Sequence, residues 1–223
     1  MKPNILLAAL ATLLAGGSAL AQSAGSVVVY GGGVQINPQV DSGDLSAPSL
    51  VGTKVDVKKA SQAVVGVTYY WTDNISIDLP IALSPFKHDV VGAGAIEGVG
   101  KLGTVKALPV TLLAQYRFGD AGSSLRPFVG AGLTYGYLFK PKATATLSGI
   151  TGGTPANPTT LSMKSRLGTT VELGAAYNLT RDWSASLAVA KTFLKTTGSL
   201  STGQTIETTL DPVSIKFVVG YRF

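Results

Sequence analysis

His88 is the single histidine of the 223-residue chain and, with no cysteine present, the only conventional catalytic base near neutral pH. A hydrolase or acyltransferase also needs a nucleophile and a group that orients the base, yet the residue after His88 is Asp89 rather than a serine. Without cysteine the chain has no disulfide, no thiolate metal site and no thiol nucleophile. Glycine-rich segments 31–33 and 92–94 lack a P-loop lysine. We therefore expect no catalytic residue, no metal and no cofactor.

Polar and ionisable side chains recur on one face of segments whose other face is apolar. In 75–84, for example, isoleucine and leucine at odd positions alternate with Ser76 and Asp78, and 213–223 repeats the pattern. Opposite charges in a narrow lumen can pair, whereas an unpaired buried charge is costly. We predict a polar plug whose members all point inward: Asp78, Gln115, Arg117, Glu172 and Arg222. The same side chains could instead fill the interior without gating it.

Segments that alternate with period two are joined by connections that are alternately long and short. We predict eight strands on this basis: 25–36, 60–71, 75–85, 107–118, 126–139, 165–178, 183–195 and 212–223. The short connections are 72–74, 119–125 and 179–182, so every long connection falls at the same end. This arrangement favours a barrel over a soluble sandwich.

Composition agrees with a membrane barrel. The chain is 45% hydrophobic and 13% charged, about half the usual charged share. In a sandwich, one core would have to bury the apolar faces of all eight strands, and the charged faces would lie on the outside. A transmembrane barrel instead turns apolar residues to lipid and polar ones to the lumen. We predict an all-β, eight-stranded antiparallel transmembrane β-barrel with short periplasmic turns and long extracellular loops. A sandwich remains the alternative.

Aromatic residues close the strands that descend to the short turns. Such clustering is typical of an interfacial girdle. The members are Tyr69, Tyr70, Trp71, Tyr116, Phe118, Tyr177, Tyr221 and Phe223, joined by Trp183. The last residue, Phe223, is predicted to act as the assembly signal read by the barrel assembly machinery. Ordinary strand enrichment in aromatics is the alternative.

Residues 1–21 read as a secretory signal peptide. Lys2 precedes the apolar stretch 5–15, and Ala19 and Ala21 form an A-x-A cleavage site. The apolar core is shorter than the roughly 20 residues that a membrane anchor needs. We predict export and a mature barrel domain at 22–223.

Eleven of the 18 basic residues lie in or beside the long connections, where they could meet phosphorylated headgroups of outer-membrane lipids and lipopolysaccharide. They are Lys54, Lys58, Lys59, Lys87, Lys101, Lys106, Lys140, Lys142, Lys164, Arg166 and Lys195. A solvated loop surface explains any single lysine equally well. The pI is near 9.5, but the sequence shows neither a recognition helix nor a stacking platform. Nucleic acid is therefore not an expected partner.

Three stretches resemble the OmpW (outer membrane protein W) family, which includes barrels of the AlkL type. They are 82–88, 100–116 and 126–135, which read ALSPFKH, GKLGTVKALPVTLLAQY and RPFVGAGLTY. The resemblance implies a monomeric barrel in the outer membrane of a Gram-negative bacterium that passes small hydrophobic molecules.

A route for such solutes can be assigned to residues. Eight strands leave little room for an aqueous pore, so we predict an apolar funnel followed by sideways exit into the membrane. Funnel candidates are Val64, Phe86, Leu138 and Leu194; candidates for a lateral opening are Pro80, Pro85 and Pro109, which lack ladder donors. Packing residues and strand ends are the plainer interpretations. A structural or adhesive barrel that acts through its loops is the alternative function, and a lipid hydrolase or acyltransferase is a further one.

Overall fold

A computed structural model describes residues 23–223; the predicted signal peptide lies outside the described residues. Within this part the chain forms fourteen strands and one helix. In order, they are β1 (Val27–Asn37), β2 (Asp41–Ser42), β3 (Thr53–Val57), β4 (Ala60–Tyr70), β5 (Ile75–Ala82), β6 (Phe86–Gly94), β7 (Lys101–Arg117), β8 (Leu125–Ala143), α1 (Ala145–Thr151), β9 (Leu161–Met163), β10 (Arg166–Asn178), β11 (Trp183–Phe193), β12 (Lys195–Leu200), β13 (Thr205–Thr209) and β14 (Val213–Arg222).

The main sheet closes on itself. Its strand order is β3-β6-β7-β5-β4-β1-β14-β11-β10-β8, and β8 pairs in turn with β7. Eight antiparallel strands, β1, β4, β5, β7, β8, β10, β11 and β14, therefore form a complete barrel wall, and β3 and β6 extend it beside β7. Closure removes the free edges that an open sheet would expose. The predicted eight-stranded antiparallel barrel is confirmed.

Alternation sets which side of the wall each residue faces. In β8, buried Thr134 and Leu138 alternate with Leu133, Tyr135 and Tyr137, which are all about half exposed. Since successive side chains point to opposite faces, one face lines the interior while the other forms an apolar outer surface.

Two of the short turns are built in the same way. Thr72 Oγ1 accepts a hydrogen bond from the Ile75 amide at 2.9 Å, and Thr180 Oγ1 accepts one from the Trp183 amide at 3.0 Å. A threonine hydroxyl that satisfies an amide three residues later favours a tight turn. The three short connections lie at one end of the barrel, as predicted.

The long connections contain structure that the strand pattern did not predict. Strands β2, β13, β12 and β9 form a separate four-stranded sheet, and α1 lies within the loop 141–163. Thr144 caps this helix through its side chain, and Gly152 ends it with a φ of 83°. Strands β7 and β8 also extend beyond the predicted 107–118 and 126–139. No helix within residues 23–223 is long and apolar enough to cross a membrane.

Aromatic residues cluster on the outer surface at both ends of the barrel. At the short-turn end, Trp183 and Tyr221 meet edge to face at 5.1 Å, and Tyr221 meets Phe223 at 4.9 Å. At the loop end, Tyr137 stacks on Phe139 with ring centroids 4.9 Å apart. The assignment of Tyr70 to the girdle was wrong: its side chain is 1% exposed because it points into the barrel, where residues of its parity face the interior.

Candidate functional site

A cavity of about 150 Å³ occupies the loop half of the barrel interior. All four predicted funnel residues, Val64, Phe86, Leu138 and Leu194, are buried and line it. Most of the remaining wall is aliphatic. Space of this size and character accommodates a molecule of about the size of benzene when it stays dry.

The roof of the cavity is a hydrophobic cluster where the loops meet the wall. Its buried members are Val57, Val90, Val105, Leu138, Leu194 and Leu210. Beyond it lies a second apolar cavity of about 60 Å³, and Val57, Met163 and Leu210 line both. Leu147 of α1 belongs to the outer cluster that encloses this second cavity. Apolar space therefore continues from the loop sheet down into the barrel.

Ionic side chains close the bottom of the cavity. Lys216 Nζ lies 3.0 Å from Asp78 Oδ2 and 3.6 Å from Glu172 Oε2, so a single ammonium joins two carboxylates. Thr68 donates its hydroxyl to Asp78 at 2.7 Å, and Gln115 donates to Glu172 at 2.9 Å. We call the group Asp78, Gln115, Arg117, Glu172 and Lys216 the polar floor.

Arg117 completes the polar floor from below. Its guanidinium donates to Gln115 Oε1 at 2.8 Å and to Ser76 Oγ at 3.2 Å. It also lies over the rings of Tyr70 and Phe128, with centroid distances of 5.1 and 4.7 Å. Two carboxylates and two cations make the floor formally neutral, which lowers the cost of burying it.

Of the predicted plug residues, Asp78, Gln115, Arg117 and Glu172 come together, but Arg222 does not. Arg222 lies at the short-turn end, and its guanidinium is 3.5 Å from the Asp182 carboxylate. Although Arg222 has inward parity, it is six residues beyond Lys216, roughly 20 Å along an extended strand. The prediction that it joins the plug is therefore corrected to a pairing with the last turn.

Lys216 is the member of the polar floor that sequence reasoning missed. It lies on the inward face of β14, and its side chain is 11% exposed. The available signal was its inward parity in a segment otherwise apolar or small. Because Arg222 pairs with Asp182 instead, the inward acids Asp78 and Glu172 still need a second cation besides Arg117.

Tyr30 packs beside the polar floor in a space left by glycine. In the ladders of β1, Tyr30 is opposite Gly66 on one side and Gly220 on the other. A Cβ on Gly66 would lie 2.3 Å from the tyrosine ring, so no larger residue fits without moving it. Lys216 Nζ lies 5.5 Å from the ring centroid, so Tyr30 helps to position the lysine.

A line of threonine hydroxyls crosses the cavity wall above the floor. Thr134 Oγ1 lies 2.8 Å from Thr111 Oγ1 and 2.6 Å from Thr170 Oγ1, and Thr170 lies 2.8 Å from Thr192. All four line the cavity. Because the hydroxyls bond to one another, the wall presents little unsatisfied polarity to an apolar molecule.

The ladder between β5 and β7 is interrupted. It pairs Ile75 to Asp78 with Leu113 to Tyr116 and then stops, and pairing resumes with β6 at Phe86 and Ala107. Between these points, segments 79–85 and 108–112 face each other with no ladder pair among the described residues; we call this interval the seam. Each segment still pairs on its other side, 79–82 with β4 and 108–112 with β8.

Prolines account for part of the interruption. The Arg117 amide donates to Asn74 O, so even residues of β5 and odd residues of β7 direct their backbone groups across this interface. Pro80 and Pro109 both have that parity and have no amide to donate. Pro85 lies where β5 gives way to β6, and its carbonyl accepts from Gln62 Nε2 at 3.1 Å. All three predicted prolines thus lie in or beside the seam.

His88 is part of the cavity wall. It is 4% exposed, lines the cavity and stacks on Phe86 with centroids 6.1 Å apart. Its Nδ1 lies 2.8 Å from the Lys58 carbonyl oxygen, so this nitrogen carries the proton and donates. The structure places the ring in the apolar wall because residue 88 has inward parity. Among residues 23–223, no three His, Asp or Glu side chains group so as to hold a metal.

Known proteins match this chain over its described length. A model of the OmpW family matches residues 23–223. Outer membrane protein W of Escherichia coli K12 is 34% identical over 227 residues, covering 100% of both chains. The dibenzothiophene metabolism operon protein PahQ of Pseudomonas aeruginosa is 24% identical over 182 residues, 80% of this chain and 79% of PahQ. The crystal structure of the outer membrane protein OprG from Pseudomonas aeruginosa superposes with a TM-score of 0.80 at 27% identity, covering 92% and 99% of the two chains.

Proposed function

This chain belongs to the OmpW family of outer-membrane barrels, and from that premise we propose that it is a passive channel for small hydrophobic molecules. It is an eight-stranded β-barrel of the outer membrane of a Gram-negative bacterium, where its wall contacts membrane lipids. Passive uptake and sideways release are the finer steps that we add. We also propose that it acts as a monomer and that Phe223 takes part in assembly by the barrel assembly machinery.

The observation that carries the proposal is an apolar cavity closed below by the polar floor. An apolar solute that continued straight down would have to separate Lys216 from Asp78 and Glu172 in a buried site. Exposing such unpaired charges to an apolar solute is costly. Further down, Arg126 is fully buried and donates to the Asp73 carbonyl oxygen at 2.6 Å, which adds a second barrier. An axial route is therefore unfavourable for apolar solutes.

The seam offers the exit with the lower barrier. It lies beside the cavity, since Pro80, Ala82 and Pro109 line the cavity wall. Parting these strands breaks no ladder hydrogen bond there, whereas parting any other neighbouring pair would expose backbone donors and acceptors to lipid. Exposed Leu79, Ile81 and Leu112 lie on the outer side of the seam, so a solute would leave into an apolar surrounding.

The kind of solute follows from the lining and from one relative. Aliphatic side chains dominate the cavity, and its threonine hydroxyls are mutually bonded. PahQ is named for a dibenzothiophene metabolism operon, and dibenzothiophene is an apolar aromatic compound. We propose compounds of this class: the cavity by itself holds about one ring, and a larger member such as dibenzothiophene would also occupy the adjoining apolar cavity of about 60 Å³.

The test compares cells that lack the protein with cells that express it. Expression should speed the uptake of dibenzothiophene several-fold and leave the uptake of a sugar unchanged. Equal dibenzothiophene uptake by the two strains would contradict the channel and leave a structural or adhesive role for the loops as the better account.

A substitution at His88 distinguishes transport from catalysis. We propose that the protein is not an enzyme; because His88 lines the cavity, His88→Ala should enlarge the cavity but should not abolish hydrophobic uptake. A hydrolase that relied on this imidazole would lose about 100-fold or more in rate. Hydrolysis of lipid esters by the purified barrel that disappears in His88→Ala would contradict the proposal.

A further inference from the structure

Two exposed lysines are direct neighbours on the outer face of the wall. Lys87 of β6 is opposite Lys106 of β7 in the antiparallel ladder. Phe86 and His88, on either side of Lys87, line the cavity, as does Val105 beside Lys106. Because side chains alternate along a strand, both lysines point away from the cavity, to the outside.

A bulge brings a third lysine to the same face. Phe139 of β8 is opposite Lys106 of β7, and the next ladder pair is Lys142 with Thr104. Two residues of β8, 140 and 141, therefore lie opposite one residue of β7. Lys140, at the bulge, has a φ of 46°. Without the extra residue, Lys142 would have the opposite parity to Phe139; the bulge turns it outward. We call Lys87, Lys106 and Lys142 the lysine triad.

The lysine triad has no acidic partner within residues 23–223, since none of the ion pairs there includes a member. The nearest candidate on β6 is Asp89, whose carboxylate is 2.7 Å from Lys101 instead. Like charges directly opposite each other destabilise a sheet unless something neutralises them. The arrangement is therefore complementary to an anion that the chain does not itself supply.

The height of the lysine triad on the wall indicates which anion. Below the lysine triad, toward the short-turn end, the outer face of β7 carries exposed Val110 and Leu112. The outer face of β8 carries exposed Tyr135 and Tyr137 at the same level. The stacked pair of Tyr137 and Phe139 ends the apolar surface, as aromatic residues do at a membrane interface. The ammonium groups thus lie at the level of lipid headgroups, with apolar wall directly beneath them for acyl chains.

We propose that the lysine triad binds a phosphate of lipid A, the phosphorylated glycolipid of the outer leaflet. Lipid A fits because a single molecule supplies phosphate at the headgroup and acyl chains along the wall below. Phe86 and Ala107 form the ladder pair next to Lys87 and Lys106 and are the first pair above the seam. The bound glycolipid therefore lies over the upper edge of the seam. This proposal does not depend on hydrophobic uptake.

Native mass spectrometry of the purified barrel in detergent tests the site, with lipid A that carries two phosphates as the probe. Wild-type protein should retain one lipid A, and Lys87→Gln/Lys106→Gln should bind it at least about tenfold more weakly. Lys87→Arg/Lys106→Arg should keep the affinity. A matched control, Lys164→Gln/Lys195→Gln, removes two exposed lysines beside and within the separate loop sheet and should change little.

Three results with these variants and lipids would overturn the proposal. They are an equal loss in the control variant, which would indicate general surface charge; equal binding of lipid A stripped of its phosphates; and unchanged binding in the double glutamine variant. Lys142→Gln, which alters one exposed side chain, gives an independent measurement and should weaken binding by a smaller factor. Competition by millimolar inorganic phosphate would indicate a general anion site and would also contradict it.

Discussion

Lys216 Nζ lies 3.0 Å from Asp78 Oδ2, although β14 and β5 are separated in the wall by β1 and β4. The contact therefore crosses the lumen rather than running along the sheet. It ties together opposite parts of the wall at the level where the apolar cavity ends. The interior is divided in two at this point, because Lys216 lines both the apolar cavity and a polar one of about 30 Å³ beneath it.

Removing Lys216 should destabilise the barrel. Lys216→Met leaves Asp78 and Glu172 buried without their shared cation, so the free energy of unfolding should fall by about 3 to 5 kcal/mol. Urea unfolding in lipid vesicles measures this. Lys195→Met, which removes an exposed lysine, is the control and should change stability by less than about 1 kcal/mol. Adding Asp78→Asn to Lys216→Met should recover part of the loss; a Lys216→Met barrel of wild-type stability would contradict the assigned role of the ion pairs.

Gly66 should be intolerant of a methyl group. In Gly66→Ala the new Cβ would meet the Tyr30 ring, so the ring must move and the free energy of unfolding should fall by about 1 to 3 kcal/mol. Gly33→Ala is the control because nothing lies within 4 Å of a Cβ there. In the double variant Gly66→Ala/Tyr30→Leu, the two changes should cost less than their sum. Strict additivity would mean that Gly66 is not needed to make room for Tyr30.

Two arginine substitutions separate the cavity from the lipid face. Leu138→Arg places a charge in the apolar cavity and should block uptake of dibenzothiophene, whereas Leu133→Arg lies on the outer surface and should lower folding stability by about 2 to 4 kcal/mol if it is near the bilayer midplane. Uptake assays and urea unfolding on both variants provide the comparison. Wild-type uptake by a folded Leu138→Arg barrel would remove the cavity from the mechanism.

Deletion of Phe223 should affect assembly more than export. The Phe223 amide donates to the Val27 carbonyl oxygen at 2.9 Å and its ring packs on Tyr221, so it ends β14 where the barrel closes on β1. The deleted form should reach the periplasm but yield less folded barrel, as measured by gel mobility before and after heating. Deletion of residues 2–21, the predicted signal peptide, should block export itself and is the contrasting control. Unchanged outer-membrane levels would leave Phe223 as an ordinary packing residue.

Period-two patterns predicted the wall because the membrane and the lumen impose opposite demands on alternate residues of every strand. The same parity placed Asp78, Gln115, Arg117 and Glu172 correctly on the interior face. It could not give height along the barrel, which depends on register between strands, and so Arg222 was assigned to the wrong level. The loop sheet and α1 escaped prediction because their strands are short and their faces pack on one another rather than on lipid.

The sequence identified the prolines but did not predict that the β5–β7 ladder is interrupted. Pro80 and Pro109 each remove a donor, but whether both missing donors face the same interface depends on the register of β5 and β7. A bulge likewise decides the direction of Lys142, and no local pattern at Lys140 and Pro141 predicts it. The odd or even position of a residue along its strand predicts which face it lies on, whereas the register between strands decides which residues are its neighbours.

A reversible cross-link over the seam tests release through the wall most directly. Extending the β5–β7 register places Ala82 opposite Pro109, and because the chain has no cysteine, Ala82→Cys/Pro109→Cys introduces a single possible disulfide. Val129→Cys/Leu173→Cys bridges the intact β8–β10 ladder on the outer face, away from the seam, and is the control. Oxidation should slow dibenzothiophene uptake at least about tenfold in the seam variant alone, and reduction should restore it. Undiminished uptake by fully cross-linked seam protein would contradict lateral release.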